Sequence, residues 1–382
     1  MEKKVIDWSS VLFICGYHLA LLIGLPIYFM THTPSLAVWM VGLFLFSACN
    51  LSITCGYHRY YSHNSYKLNG AVQAVMLFFA TLAVQASAIK WGFLHRHHHA
   101  FVDTARDPYS IQEGFWHAHV LWTFGKTEKI DPKVVPDLFK NPMTAFQHRH
   151  YVWLMVGTNV LTTLLIGYLL NDYAGAFAIT LGLRLFLCNH TTWFINSIAH
   201  TWGKQSYGQE HSAKDNFIIS FLTFGEGYHN YHHTFANDYR NGIRWFDYDP
   251  SKWTIWLLSK LGLAKDLRRT DESRIRKHLL EEQKGEILAK VKAHFADQFA
   301  PIEAKLTKIS QDLVEKYQRF QKLKTEYSAV KKQKNSEKSK ELTKEISLIT
   351  SLIRQEYSAW QSFYKSVMHF NPSSGKKLPL PS

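Results

Sequence analysis

Five apolar runs, each close to twenty residues long, constrain this 382-residue chain more than any other feature. They are Val11–Met30, Leu36–Thr54, Ala71–Ile89, Val152–Leu170 and Ala174–Ile195. A helix needs about 20 apolar residues to cross the hydrocarbon core of a bilayer. Within lipid it also satisfies its own backbone polar groups. The runs therefore predict an all-α integral membrane protein. Only Thr31–Ser35 separates the first two, and only Asn171–Tyr173 the last two, so each pair reads as a helical hairpin. Neither turn carries Lys or Arg, whereas the N-terminus, the stretch 90–150 and everything after 200 carry many. Positive charge is retained on the cytosolic side. The expected topology is multi-pass, with both termini cytosolic, in a bacterial inner membrane or the endoplasmic reticulum.

Composition refines this picture. Mean hydropathy is only −0.18, but the average hides a split between apolar residues up to about 200 and a Lys-, Glu-, Gln- and Ser-rich region after about 270. A net charge of +14 suits nucleic acid, anionic headgroups or an acidic partner. Beside apolar spans it favours the membrane surface, and no nucleic-acid partner is expected. Cys15, Cys49, Cys55 and Cys188 form no CxxC pair, which argues against a zinc ribbon or a disulfide framework. The start of the chain resembles a signal peptide only superficially, because its apolar run is too long and no small-residue cleavage site follows.

The chain carries 21 histidines, and four clusters of them carry chemistry. The first is His58 and His63 in Gly-Tyr-His-Arg-Tyr-Tyr-Ser-His. The second is His95-Arg-His-His-His99. The third is Asn196-Ser-Ile-Ala-His200, and the fourth is Glu226-Gly-Tyr-His229-Asn-Tyr-His232-His233. Residues three and four apart share a helix face. His95, His98 and His99 follow that spacing, as do His229, His232 and His233. Asn196 and His200 are four apart. His58 and His63, five apart, suit the loosened cytosolic end of the second run. His97 falls off the face of its neighbours and is excluded. Nine aligned histidines exceed one metal's needs, while two irons with four or five nitrogens each would use them all; imidazole suits Fe, Zn, Cu and Ni. Glu226, Asp103 and Asp107 are candidates for orienting ligand imidazoles. A single histidine is more often a core or surface residue, and His18, His32, His117, His119, His148, His150 and His190 are read so.

The middle run is constrained by the same clusters. Histidines before it and after it must meet to share metal, so Ala71–Ile89 is expected to lie in the interface or to dip and return. Gln73, Gln85 and Ser87 within it fit that reading. A fifth true span is the competing one. The expected body has four transmembrane helices in two hairpins and a cytosolic histidine-rich di-iron cap.

These strings resemble the membrane fatty acyl desaturases of the stearoyl-CoA (delta-9) type. The match runs from about residue 10 to 269, and Arg240-Asn-Gly-Ile-Arg-Trp-Phe-Asp-Tyr-Asp-Pro-Ser-Lys-Trp253 is similar to the family's closing signature. The resemblance implies two Fe2+ ions held by the nine histidines, with Asn196 touching one through water. It implies an acyl tunnel ending beneath the metals, with Trp193 as a tunnel contact and Lys126 near a basic position that meets coenzyme A phosphates. It implies O2-dependent introduction of a cis double bond, delta-9 in position, into a saturated acyl chain. The chain departs at Phe93 and Leu94, where acyl-CoA enzymes usually carry Arg-Asp, which leaves the carrier open between coenzyme A, a glycerolipid and a carrier protein. A membrane hydroxylase or related oxygenase with the same histidine pattern is the alternative enzyme, and a lipid-binding protein without turnover is the alternative class. His-Pro-Gly-Gly, CxxC and GxGxxG strings are not found, so a separate donor, cytochrome b5 or ferredoxin, is implied.

Residues 1–269 form the expected membrane domain, 270–370 a helical, coiled-coil-like region and 371–382 a disordered tail. Leu306, Ile309, Leu313, Phe320, Leu323, Tyr327 and Val330 make one heptad-like stripe, and Leu342, Ile346, Ile349, Ile353, Trp360, Tyr364 and Val367 another. With a polar turn over 331–340 between them, the stripes predict an antiparallel helical hairpin, preceded by a charged helix ending near Pro301. Self-association through the stripes is the alternative.

Overall fold

The computed structural model describes residues 5–295, 298–333 and 336–370; the tail expected to be disordered, 371–382, lies outside them. Helix α1 (Trp8–Thr31) begins where the Asp7 carboxylate accepts from the amides of Ser9 and Ser10, and α2 (Leu36–Leu51) where Ser35 accepts from Val38. Such caps satisfy amides that have no partner inside the helix. Helix α2 continues without a break into a π-helical stretch, Ser52–Ser62. The middle apolar run then splits into α3 (Gly70–Leu82) and the start of α4 (Ala88–Phe101). Val84 and Ala86 take positive φ, 57° and 69°, in the turn between them. Thirteen residues at about 1.5 Å each fall short of a bilayer core of about 30 Å, so α3 is too short to cross.

Short helices follow: α5 (Phe115–His119), α6 (Pro136–Lys140) and α7 (Pro142–Arg149). Helix α8 (Tyr151–Leu170) is the next long apolar one. The fifth run is helical in three pieces: α9 (Tyr173–Gly175), a π-helical stretch Ala176–Leu183, and α10 (Arg184–Ser197). Among the described residues, three helices are long and apolar enough to span a membrane: α1, Leu36–Ser62 and α8. Their outward faces present large apolar side chains such as Leu22, Met40 and Leu161, as a lipid-facing surface would.

Arg184 is buried at the junction of α10 with its π-helical start. Its guanidinium donates to Asn159 Oδ1 in α8 (2.5 Å) and to the Leu82 carbonyl that ends α3 (2.6 Å). A cation is favourable at a helix C-terminus, where carbonyls lack intrahelical partners. Arg184 thus pins the end of α3, just before the chain turns into α4.

Three small helices complete this unit: α11 (Phe217–Leu222), α12 (His229–Thr234) and α13 (Pro250–Lys260). The one departure from helix in its named elements is a two-residue antiparallel ladder. Strand β1 (Lys67–Leu68) pairs with β2 (Ala264–Lys265), tying the segment just after His63 to the end of the unit. Residues up to 205 with 210–269 form one compact unit, and 206–209 with 270 onward a second.

The second unit is built from α14 (Glu272–His294), α15 (Phe299–Lys332) and α16 (Ser336–Met368), all three in mutual contact. Leu280, Ile287, Leu306, Leu313 and Trp360 form its core, and Leu323, Val330 and Leu342 a second cluster. The charged helix ends at His294, not near Pro301. Pro301 instead lies in the first turn of α15, where its missing N–H removes no helical bond.

Candidate metal centre

The nine aligned histidines gather into two neighbouring groups. His58, His63, His95, His99 and His232 form one, and His98, His200, His229 and His233 the other; within each group the ligand atoms lie within 4.8 Å of one another. Helices α4 and α12 contribute to both groups. The end of the α2 helix contributes only to the first, and the segment after α10 only to the second. Spacing accounts for α4 and α12, whose trios place three rings on one face. His58 and His63 meet for a different reason. The amide of His63 donates to the carbonyl of His58 (3.2 Å), an i→i+5 bond. That widened π turn brings residues five apart together, with ring centroids 4.9 Å apart.

The nitrogens are spaced as metal ligands would be. Nε2–Nε2 separations are 2.8 Å for His63–His95, 2.9 Å for His58–His232 and 3.0 Å for His99–His232. In the second group they are 3.1 Å for His200–His229 and for His229–His233, and 3.3 Å for His98–His233. Imidazole nitrogens at roughly 2.1 Å from an ion stand about 3.0 Å apart when they subtend a right angle. Burial pushes the pKa of His95, His99, His200, His229, His232 and His233 well below the ordinary imidazole value, and neighbouring imidazoles push the same way. Neutral imidazole is the form that binds a metal. The donor set therefore fits a metal centre.

Side chains behind the rings fix which nitrogen faces inward. His98 Nδ1 lies 2.9 Å from Asp107. His200 Nδ1 lies 2.7 Å from the Ser212 hydroxyl, which donates to Asp103 Oδ1 at 2.6 Å. His58 Nδ1 lies 2.8 Å from Glu226, which also accepts from Arg59 at 2.9 Å and from Asn241 at 2.8 Å. Burial alone would raise the Glu226 carboxyl, but His58 and Arg59 outweigh it and hold it at about 2. Arg59 is buried and also engages both oxygens of Asp249, one of which caps α13. Two glycines let Glu226 reach this place: Gly225 has φ +104°, and a Cβ on Gly227 would fall 2.1 Å from the Ser220 amide.

Sequence reading missed Arg59 and Ser212. Arg59 adjoins His58, and an arginine beside a buried cluster was the available signal. Nothing in the spacing points to Ser212. His97 joins neither group. His18, His190 and His119 also stay out of both, forming a hydrogen-bonded line of their own with links of 3.0 and 3.1 Å.

A cavity of about 340 Å³ adjoins both groups. His58 and His95 of the first group and His98 and His229 of the second line it, together with Trp193 and Asn196. Lys126 is exposed and is not in the lining, although its neighbours Gly125 and Thr127 are. Phe93 and Leu94 are buried, and Leu94 lines the cavity, as does Lys90 one turn earlier.

Comparison with known proteins yields a consistent set of relatives. The fatty acid desaturase family model matches residues 34–257. Acyl-CoA desaturase 1 of Saccharomyces cerevisiae is 36% identical over 74% of this chain and 56% of its own length. The probable acyl-CoA desaturase of Schizosaccharomyces pombe is 36% identical over 72% of this chain and 59% of its own. The sn-2 palmitoyl-lipid 9-desaturase of Nostoc sp. is 35% identical, covering 68% of this chain and 89% of its own. The chain thus spans less than two thirds of the two yeast proteins.

Proposed function

Because the chain belongs to the fatty acid desaturase family, we propose that it is an oxygen-dependent fatty acyl desaturase that sets a cis delta-9 double bond in a saturated chain, with two Fe2+ ions as cofactor. The observation that carries the reading is the pair of histidine groups bordering one largely apolar cavity. When bound, the ions supply oxygen activation and removal of two hydrogens from adjacent methylenes, chemistry that protein side chains lack. The protein's part is to hold, orient and exclude. The nine imidazoles would hold the ions, and Asn196 in the cavity wall would add a contact through water. Glu226, Asp107 and the Asp103–Ser212 pair keep the ligand rings aimed. Trp193, Leu94 and Trp91 in the lining keep water out and fix which methylene lies beside the metals, since methylenes offer no polar handle.

The carrier is coenzyme A in this reading, with Lys126 outside the cavity and Lys90 in its wall as the nearby cations; relatives named for acyl-CoA and for acyl-lipid substrates make a lipid carrier the alternative. Helices α1, Leu36–Ser62, α8 and the Tyr173–Ser197 path make four spans in two hairpins, with both termini and the metal cap cytosolic. Electrons come from a separate donor, cytochrome b5 or ferredoxin.

The test is to supply the iron-loaded full chain with a reducing donor, O2 and stearoyl-CoA or a stearoyl glycerolipid. Mass spectrometry should find an oleoyl product. A hydroxystearoyl product would instead make the protein a hydroxylase. Oxygen consumption that does not depend on the donor, with no altered acyl chain, would reject both.

A further inference from the structure

We propose that His211 is a tenth metal-binding histidine, which completes the four-histidine group from the side away from the cavity. The inference rests on the metal-centre reading above. His211 is only 6% exposed, and neither of its ring nitrogens has a hydrogen-bond partner among the described residues. Its nearest carboxylate oxygen, Glu210 Oε1, is 4.0 Å from Nε2, beyond hydrogen-bond reach. Leaving a buried imidazole without a partner is destabilising unless something satisfies it.

Its ring centroid lies 5.1 Å from that of His233. Centroids inside the four-histidine group are separated by similar distances: 4.5 Å for His229–His233, 5.0 Å for His98–His233 and 5.3 Å for His200–His233. His211 thus packs against the group as its own members do, although its nitrogens stand outside the 4.8 Å set. The role requires that the ring turn about its side-chain torsions to bring a nitrogen inward. Position supports the role. His98 and His229 line the cavity, whereas His200, His233 and His211 do not. A nitrogen from His211 therefore approaches from the closed side and leaves the cavity-facing position free. It also gives both ions five imidazoles, removing the five-to-four inequality between the groups.

The test uses the full chain in detergent, loaded with iron or, as a spectroscopic probe, with Co2+. Wild type should hold two ions per chain. His211→Ala should keep the five-histidine ion but release the other to a chelator at least about 10-fold faster, in the range seen when groups supporting a metal site are removed. The Co2+ spectrum of that site should shift towards lower coordination number, and added imidazole should restore both retention and spectrum. An unchanged release rate and spectrum in His211→Ala would overturn the proposal. So would a faster release that imidazole cannot reverse, because that pattern marks a packing role. His233→Ala serves as the control that identifies the four-histidine ion. A wild-type chain that retains no transition metal would instead remove the metal-centre reading itself.

Discussion

Glu226 stands between two bases, His58 at 2.8 Å and Arg59 at 2.9 Å, with all three buried. Replacing it by Gln keeps its shape and removes its charge. Arg59 then relies on Asp249, and the His58 ring loses the carboxylate that aims it. Glu226→Gln should weaken metal retention by about 10- to 100-fold, measured as chelator competition on the purified chain. The same residues set a pH dependence. The clustered imidazoles of His95, His99, His200, His229, His232 and His233 have folded pKa values well below their ordinary value of 6.5. Below pH 6.5 the unfolded chain binds protons that the folded chain refuses, so stability is full above that pH and falls as pH drops. Glu226, held at about 2 against 4.5, adds stability that is lost between pH 4.5 and 2. Metal-free protein should therefore show an unfolding midpoint that declines from about pH 6.5 downward, steepening below 4.5. A flat profile from 7 to 5 would contradict the burial argument. At this scale the sequence was readable where chemistry repeats: the two trios needed only helical spacing. Arg59 and Ser212 were not readable, because their partners are distant in sequence and only the fold joins them.

Elements decide how the clusters meet. The α-helical period leaves His58 and His63 well apart in angle, and the structure resolves this with the i→i+5 turn after α2. The sequence could say that the helix loosens there but not that it becomes π-helical. The middle run was legible in its consequence, since histidines on both sides had to meet. Its mechanism lay in a residue that averaging hides: Arg184, inside a predominantly apolar run, donates to the Leu82 carbonyl and to Asn159. Arg184→Met should leave both acceptors buried without a donor. We expect a loss of about 2–4 kcal/mol, read as a lower thermal midpoint and reduced yield of monodisperse protein; a midpoint unchanged from wild type would mean that α3 stops for another reason. Pro301 was misplaced because proline is common both just past the end of one helix and in the first turn of the next, and only the flanking contacts separate the two.

The chain divides into a unit that carries the histidine groups and a three-helix unit, each with its own core. All nine clustered histidines lie in the first. Truncation after residue 269 should leave metal content per chain unchanged, checked by elemental analysis against the full chain. Loss of one ion on truncation would show that the second unit supports the site. The order of the ligands along the chain has a further consequence for biogenesis. Both groups draw on α12, so the five-histidine group lacks its full donor set until residue 232 has been synthesised and the four-histidine group until residue 233. By then every helix among the described residues that is long and apolar enough to span a membrane has already been synthesised. Metal therefore cannot template the insertion of these helices. If the two groups hold metal, cells short of it should accumulate an apoprotein rather than lose the chain to misfolding.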